Sequence, residues 1–299
     1  MGFVMGGGER EMTATRYAVI RHIERVRHHL AFEISETVLN ELALWAHAAN
    51  AILFFEDGTV RAPNGKALVD PETGEADEGA EVPSPAGALE RKQRSDATLV
   101  ALEIPVLASL PAIEDEIEVE LRPAADVLGR CAALFACALR AESLADGQPP
   151  IPVSEVLQRV PLATDQLSPE ERAFLDAEPP GRQTIVNMVW RYEALGALMW
   201  SIGLLPELPL PTALVDVPRV ARIMLDLDPT QPVSLRPDAE ILDSLDLTFR
   251  LHWAATNARV TNKPPPADLD GGVIQERHHA LNWLIRFEGA AWDDVTTPT

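Results

Sequence analysis

Residues 183–202 read QTIVNMVWRYEALGALMWSI. Five of them recur at spacings of three and four: Val186, Val189, Glu193, Gly196 and Trp200. Residues at these spacings share one face of a helix, so the pattern predicts a long helix with an apolar stripe. Gly203 predicts its end. Glu193 is the one carboxylate in the stripe, and burial requires it to be paired, hydrogen-bonded or neutral.

Further helices are predicted on both sides of this stretch. Residues 124–145 are rich in Ala and Leu, and the motif SPEE at 168–171 combines a capping serine with a proline in the first turn. Other helices are predicted after Asp216, over 237–261 and over 272–288. Residues 123–299 are therefore predicted to form one all-helical domain.

Residues 13–122 are predicted to form a smaller N-terminal α+β region, after a disordered leader at 1–12. Its predicted elements are a helix carrying Val19, Ile23, Val26 and Leu30, a helix over 36–47, a β-hairpin over 51–65, and a helix from Ser84 to about Leu102. The predicted fold class is mainly α, and α+β overall.

Alternation of acidic and apolar residues marks residues 116–121. The acids are Glu116, Glu118 and Glu120, and they alternate with Ile117, Val119 and Leu121. A period of two predicts a half-buried strand with one acidic face. That face is a candidate surface for a basic protein partner, and the alternative is an ordinary solvated strand face.

Composition restricts the partners and the compartment. The chain has 46 acids and 25 bases, a net charge of −21, which repels nucleic acid and anionic membranes. No run approaches the roughly 20 apolar residues that span a bilayer. The two cysteines, Cys131 and Cys137, lie on one predicted helix too far apart for a disulfide, so we expect buried thiols and a cytoplasmic protein.

Charged residues on otherwise apolar helix faces are the candidate site. These residues are Glu193, Asp246, Arg250, Glu276 and Arg277. Their convergence between three C-terminal helices would balance three negative charges with two positive ones. The cluster is either a buried ion-pair network that sets helix register or a ligand pocket. Four tryptophans are predicted to pack around it, as core rather than as a cofactor site: Trp190, Trp200, Trp253 and Trp283.

Metal and cofactor sites find little support in the sequence. Glu276 and His279 have the Glu-x-x-His spacing of helical di-iron carboxylate proteins, with Glu193 and Asp243 or Asp246 as further candidate ligands. Such sites use two Glu-x-x-His pairs and this chain has one, so no metal is expected. His252 and His278 are predicted to be packed core histidines. The chain has no nucleophile elbow, no phosphate-binding loop and no dinucleotide fingerprint, so no cofactor is expected.

Several C-terminal motifs together resemble a known family. They are WRYEAL at 190–195 with WSIG at 200–203, ILD at 241–243 with Asp246, Leu247 and Arg250–Trp253, Glu276-Arg277 up to Trp283, and WDD at 292–294. In this order they resemble the domain-of-unknown-function family numbered 4272, a family of bacterial proteins, from about Ala125 to the C-terminus. The resemblance implies that these helices form one unit and transfers no catalytic residue. The chain departs from the family pattern at its end, where Thr297 leads to Pro298.

Two functions follow from the sequence as alternatives. The first is a non-catalytic binding or interaction protein whose acidic surface meets a basic protein. The second is an enzyme or small-ligand binder that uses the charged cluster, with a carboxylate whose pKa is raised by burial as acid or base. An open path to Glu193 would favour the second, and a sealed, fully paired cluster would favour a structural role.

Overall fold

A computed structural model describes residues 12–26, 28–145, 149–228 and 232–299. All but the last residue of the predicted leader, 1–12, lies outside these ranges. The chain divides into two compact units. The N-terminal unit comprises the described residues up to Gln93 together with Leu107–Glu118, and the helical unit comprises Arg94–Val106 and Val119–Thr299. The domain boundary predicted between residues 122 and 123 stays a prediction.

The N-terminal unit combines helices with a small antiparallel sheet. Its elements are α1 (Ala14–Arg25), a 3-10 turn (Glu36–Val38), α2 (Leu39–Ala48), β1 (Leu53–Phe54), β2 (Val60–Arg61), β3 (Ala67–Val69) and the first half of α3 (Ala86–Ala101). The sheet order is β1-β2-β3. Val19 of α1 packs into a core with Val60 and Leu68 of the sheet. The hairpin prediction is confirmed, and β3 adds a third strand that was not predicted.

The first helix lies earlier than predicted. Thr13 caps its start by accepting a hydrogen bond from the Arg16 amide, and the helix ends at Arg25 with Val26 in extended conformation. The prediction that it continues to Leu30 is wrong. Leu30 also belongs to an alternating pattern with Phe32 and Ile34, and residues 28–35 form no helix. Local periodicity alone does not separate these overlapping patterns.

The predicted strand at 116–121 is wrong. Residues 116–118 form a turn, in which the Glu118 amide donates to the Asp115 carbonyl, and residues 119–123 belong to no helix or strand. The three glutamates have different partners: Glu116 pairs with Arg91 at 2.7 Å, and Glu120 with Arg286 at 3.7 Å. Glu118 accepts a hydrogen bond from Asn50 at 2.8 Å. A period-two pattern needs a neighbouring strand to become a sheet, and these side chains bond arginines and an amide instead.

The helical unit contains the elements that position the candidate site. They are α4 (Ala124–Ala145), α5 (Val153–Arg159), α6 (Pro169–Asp176), α7 (Arg182–Ser201), α8 (Val217–Leu225), α9 (Asp238–Val260) and α10 (Gly271–Leu284), with 3-10 turns at Phe287–Gly289 and Trp292–Asp294. α4 packs on α7, α7 on α10, and α10 on α9. The mainly α fold class is confirmed. None of the helices in the described residues is long and apolar enough to cross a membrane.

The ends of these helices follow from their capping residues. Ser168 and Glu171 form a reciprocal capping box at the start of α6. Asp216 caps α8, and Gly203, at a φ of 78°, follows the end of α7. Cys131 and Cys137 are fully buried free thiols within α4, and burial raises the pKa of both.

Candidate functional site

An ion pair between α7 and α10 is the centre of the candidate site. Arg191 Nη1 on α7 lies 3.1 Å from Glu276 Oε2 on α10, and the two side chains keep 15% and 16% of their surface exposed. Burial raises the pKa of Glu276, and the Arg191 charge opposes that rise. The Glu276 carboxyl group therefore takes up a proton more readily than the carboxyl group of an exposed glutamate does. Solvent can still reach it.

His279 lies one helical turn after Glu276. Burial, and then the charge of Arg191, lower its pKa to about 4, so the imidazole is neutral at pH 7. The ring makes a hydrogen bond with the Trp292 backbone, and its buried Nε2 atom has no hydrogen-bond partner. Because the other ring nitrogen donates its proton to the Trp292 carbonyl, the neutral ring carries no proton on Nε2. Nε2 therefore has a free lone pair.

The indole of Trp292 contacts three basic side chains, those of His279, Arg130 and Arg191. Its ring centroid lies 4.5 Å from that of His279, 5.0 Å from Arg130 Cζ and 5.8 Å from Arg191 Cζ. The indole Nε1 is buried without a hydrogen-bond partner. We call Arg130, Arg191, Glu276, His279 and Trp292 the Trp292 cluster.

The floor of the Trp292 cluster is a second, deeper ion pair. Arg130 of α4 pairs with Glu171, the capping-box glutamate of α6, and both are buried. Glu171 Oε1 and the Nε atoms of Arg130 and Arg191 lack hydrogen-bond partners. The cluster therefore contains several buried polar atoms that the protein itself leaves without partners, which folded proteins rarely tolerate without a role for them.

Glu193 and Arg277 form a separate pair that fastens a loop. Glu193 Oε1 accepts a hydrogen bond from the Val215 amide at 2.8 Å, and Arg277 Nη1 donates to the Pro209 carbonyl at 2.5 Å. The two charged groups lie 3.9 Å apart, and both side chains are buried. Burial raises the pKa of Glu193, while the Val215 hydrogen bond and Arg277 oppose the rise. This pair holds the loop between α7 and α8 against α7 and α10.

Asp246 and Arg250 form a third pair, one turn apart on α9. Arg250 Nε and Nη2 donate to the two carboxylate oxygens of Asp246 at 2.9 and 2.8 Å. Asp96 of α3 adds a second carboxylate 3.5 Å from Arg250 Nε, and Asp246 is fully buried. The five predicted site residues thus occupy three ion pairs, in which Glu276 meets Arg191 rather than a member of the predicted set.

The four predicted tryptophans lie in different packing positions. A Cβ placed on Gly272 would lie 2.7 Å from the Trp190 ring. Only a glycine at position 272 therefore allows α10 to approach this indole so closely. Trp253 packs beside Leu251 and Leu269. Trp200 and Trp283 lie under the guanidinium groups of Arg236 and Arg122. Trp292, which contacts the site most directly, was identified in the sequence only as a family motif.

Metal ligands do not assemble in the described part of the chain. Among these residues, no three His, Cys, Asp or Glu side chains are placed to hold a metal ion. His252 and His278 face each other with their Nδ1 atoms 2.9 Å apart, buried beside Phe249. Each ring thus bonds one nitrogen of the other, as expected of buried core histidines.

Sequence comparison identifies the region that carries this site. The family model described as domain of unknown function DUF4272 matches residues 91–295. No curated protein and no solved structure matches the chain. The matched region contains every residue of the Trp292 cluster.

Proposed function

Since the chain belongs to the DUF4272 family, we propose that its helical unit binds a small polar ligand at the Trp292 cluster and exchanges a proton with it. Glu276 and His279 are the two groups that would face the ligand. Arg191 would orient it, and Arg130 and Trp292 would form the floor.

The observation that carries the proposal is the free lone pair of His279 beside Glu276. A neutral imidazole with an unpartnered nitrogen accepts a proton, and a carboxyl group with a raised pKa donates one. Two neighbouring groups whose pKa values move in opposite directions are typical of acid–base sites. Both lie on one face of α10, at a spacing that brings their side chains together.

Comparison with the other two ion pairs supports this assignment. The Glu193–Arg277 pair bonds to backbone groups of a loop, and the Asp246–Arg250 pair is bidentate and sealed. Those contacts give both pairs a structural role, in fastening the loop and in holding α9. The Glu193–Arg277 pair also contains buried atoms without hydrogen-bond partners, Glu193 Oε2 and Arg277 Nε. The Trp292 cluster differs because two of its charged side chains are partly exposed and because it adds the unpartnered ring nitrogens of His279 and Trp292.

A ligand screen by thermal unfolding tests the proposal. Small carboxylic acids, phosphates, polyols and amines would be added to wild type and to the variants Glu276→Gln and His279→Asn. A ligand at about 100 times its Kd stabilises by roughly 2.7 kcal/mol, which raises Tm by several degrees in a unit of this size. We expect that rise in wild type and its loss in both variants.

The matched control is Glu155→Gln, which removes an exposed i,i+4 pair with Arg159 elsewhere in the helical unit. It should leave the ligand response unchanged. A screen without any stabilising compound, or one in which all three variants respond like wild type, would contradict a ligand site at the Trp292 cluster.

A basic protein partner is the second candidate, and the net charge of −21 favours it. The strand face predicted at residues 116–121 does not support this candidate, because these residues form no strand. A basic protein that copurifies with the chain and dissociates from it as salt is added would support this candidate, and the charge would then act through other acidic residues.

A further inference from the structure

An exposed apolar surface lies on the N-terminal unit, away from the proposed ligand site in sequence. Its residues and their exposed fractions are Leu30 67%, Phe32 52%, Ile34 41%, Leu44 74% and Trp45 41%. The Phe32 and Trp45 rings meet edge to face with centroids 5.7 Å apart, which joins the segment 30–34 to α2. We call these five residues the apolar surface.

The segment before α2 has the pattern of a strand but lies in none. Residues 28–35 belong to no helix, strand, turn or bend. Leu30, Phe32 and Ile34 alternate with Ala31 and Glu33, a period of two that would place the apolar side chains on one side of a strand. A segment with this pattern can pair with a neighbouring chain through its backbone.

Charge is sparse on this part of an otherwise acidic chain. Residues 28–55 contain no Lys or Arg, three acids, Glu33, Glu36 and Glu41, and three histidines. A basic partner would gain little from so few acids. Two copies of this surface, by contrast, repel each other only weakly, and depletion of charge is typical of interface cores.

We propose that the apolar surface binds the same surface of a second copy of this chain, with the segments 28–35 of the two copies paired as antiparallel strands. A two-fold axis brings identical surfaces together, so each side needs only to complement itself. A register centred on Ala31 would place Leu30 of each copy opposite Phe32 of the other copy. Apolar and aromatic residues opposite each other stabilise antiparallel pairs.

The exposed area fits a reversible dimer. The five side chains expose roughly 500 Å² per copy, which matches the largest apolar patch on a typical monomer. Two such patches together bury about 1,000 Å², the lower limit of specific interfaces. We therefore expect a dimer that dissociates at micromolar concentration.

Sedimentation equilibrium of the full chain over a range of concentrations tests the proposal. Wild type should approach twice the chain mass of 32.6 kDa. Phe32→Lys and Leu44→Lys should each weaken the dimer by about 30-fold or more, the effect of losing a central interface residue. Both side chains are exposed, so circular dichroism should show an unchanged helix content.

Two exposed apolar residues of the helical unit supply matched controls. Leu214→Lys and Val260→Lys add the same charge at positions exposed by 63% and 68%, and they should leave the dimer intact. Hydrogen exchange gives an independent measurement, because pairing should slow exchange of the amides at 30–34 as concentration rises. A wild-type monomer at every concentration, or a dimer that Phe32→Lys and Leu44→Lys do not weaken, would overturn the proposal.

Discussion

Two carboxylates with raised pKa values show how the same residue type serves different roles in one unit. Glu193 accepts a hydrogen bond from a backbone amide and faces Arg277. Glu276 faces Arg191 and remains partly exposed. Burial is the main cause of both pKa shifts, so the shift by itself does not distinguish a structural from a functional carboxylate. What distinguishes them is exposure, since Glu193 is buried against a loop of the protein whereas Glu276 keeps 16% of its side-chain surface open to solvent.

Replacing Glu193 should destabilise the helical unit strongly. Glu193→Ala leaves the Val215 amide and the buried Arg277 without their partner, which should cost about 3–5 kcal/mol of unfolding free energy. Glu193→Gln keeps an oxygen for Val215 and should cost less, about 1–2 kcal/mol. Urea unfolding followed by circular dichroism measures both.

Glu155→Ala is the control at the residue scale, since the exposed pair of Glu155 with Arg159 should contribute less than about 1 kcal/mol. Equal losses for Glu193→Ala and Glu155→Ala would show that the loop contacts of Glu193 contribute nothing to stability.

Helix ends in this protein are stabilised by a repeated arrangement of arginine and tryptophan. Arg236 lies over Trp200 and donates to the carbonyls of Trp200, Leu205 and Pro206 at the end of α7. Arg122 lies over Trp283 and donates to carbonyls at 283 and 290, at the end of α10. In each case one acceptor, Trp200 or Trp283, belongs to the last turn of the helix, and the others belong to the chain that follows it. A planar guanidinium can bond both and thereby joins the helix end to the next segment.

Arg236→Lys should therefore destabilise α7 although it keeps the charge. A lysine has no planar fork and cannot reach three carbonyls while it packs on Trp200. We expect a loss of about 2–3 kcal/mol, measured as a lower urea midpoint. Arg159→Lys, at an exposed pair on α5, is the matched control and should change the midpoint little. Similar midpoints for the two variants would contradict the capping role of Arg236.

At the scale of the whole molecule, buried histidines make stability depend on pH. Burial is the main cause that lowers the pKa of His22, His252 and His279 to about 4. In the unfolded chain a histidine takes up its proton near pH 6.5. Between about pH 6.5 and 4 the unfolded state thus binds protons that the folded state does not, and stability falls as the pH is lowered. Glu193 and Glu276 act in the opposite direction, because their pKa values are raised.

We expect the three histidines to outweigh the two carboxylates. Each histidine shift corresponds to at most about 3 kcal/mol at pH 4. Urea midpoints at pH 7, 5.5 and 4.5 should fall steadily in wild type. His252→Gln should flatten this dependence, and His47→Gln, at an exposed position, should not. A midpoint that rises towards pH 4.5 would contradict the expectation.

The sequence by itself predicted most of the helical elements, but not α5, and it placed the end of α10 at 288 rather than at Leu284. The capping motif at 168–171, the cap at Asp216 and the glycine at 203 each act over a few residues, so the local sequence is sufficient for them. The predicted stripe of α7 placed Glu193 on a buried face, although Val186 of the same stripe is 41% exposed. Helix class and buried faces depend on spacing along one chain segment, which the sequence contains directly.

Only the tertiary structure decided which charged groups meet. Helical spacing gives the face of a side chain, but its partner depends on how packed helices are rotated and shifted along their axes. For that reason Glu276 meets Arg191, and Trp292, far along the chain, reaches Arg130. The same holds for residues 116–121, because an alternating pattern becomes a strand only when a second strand lies beside it.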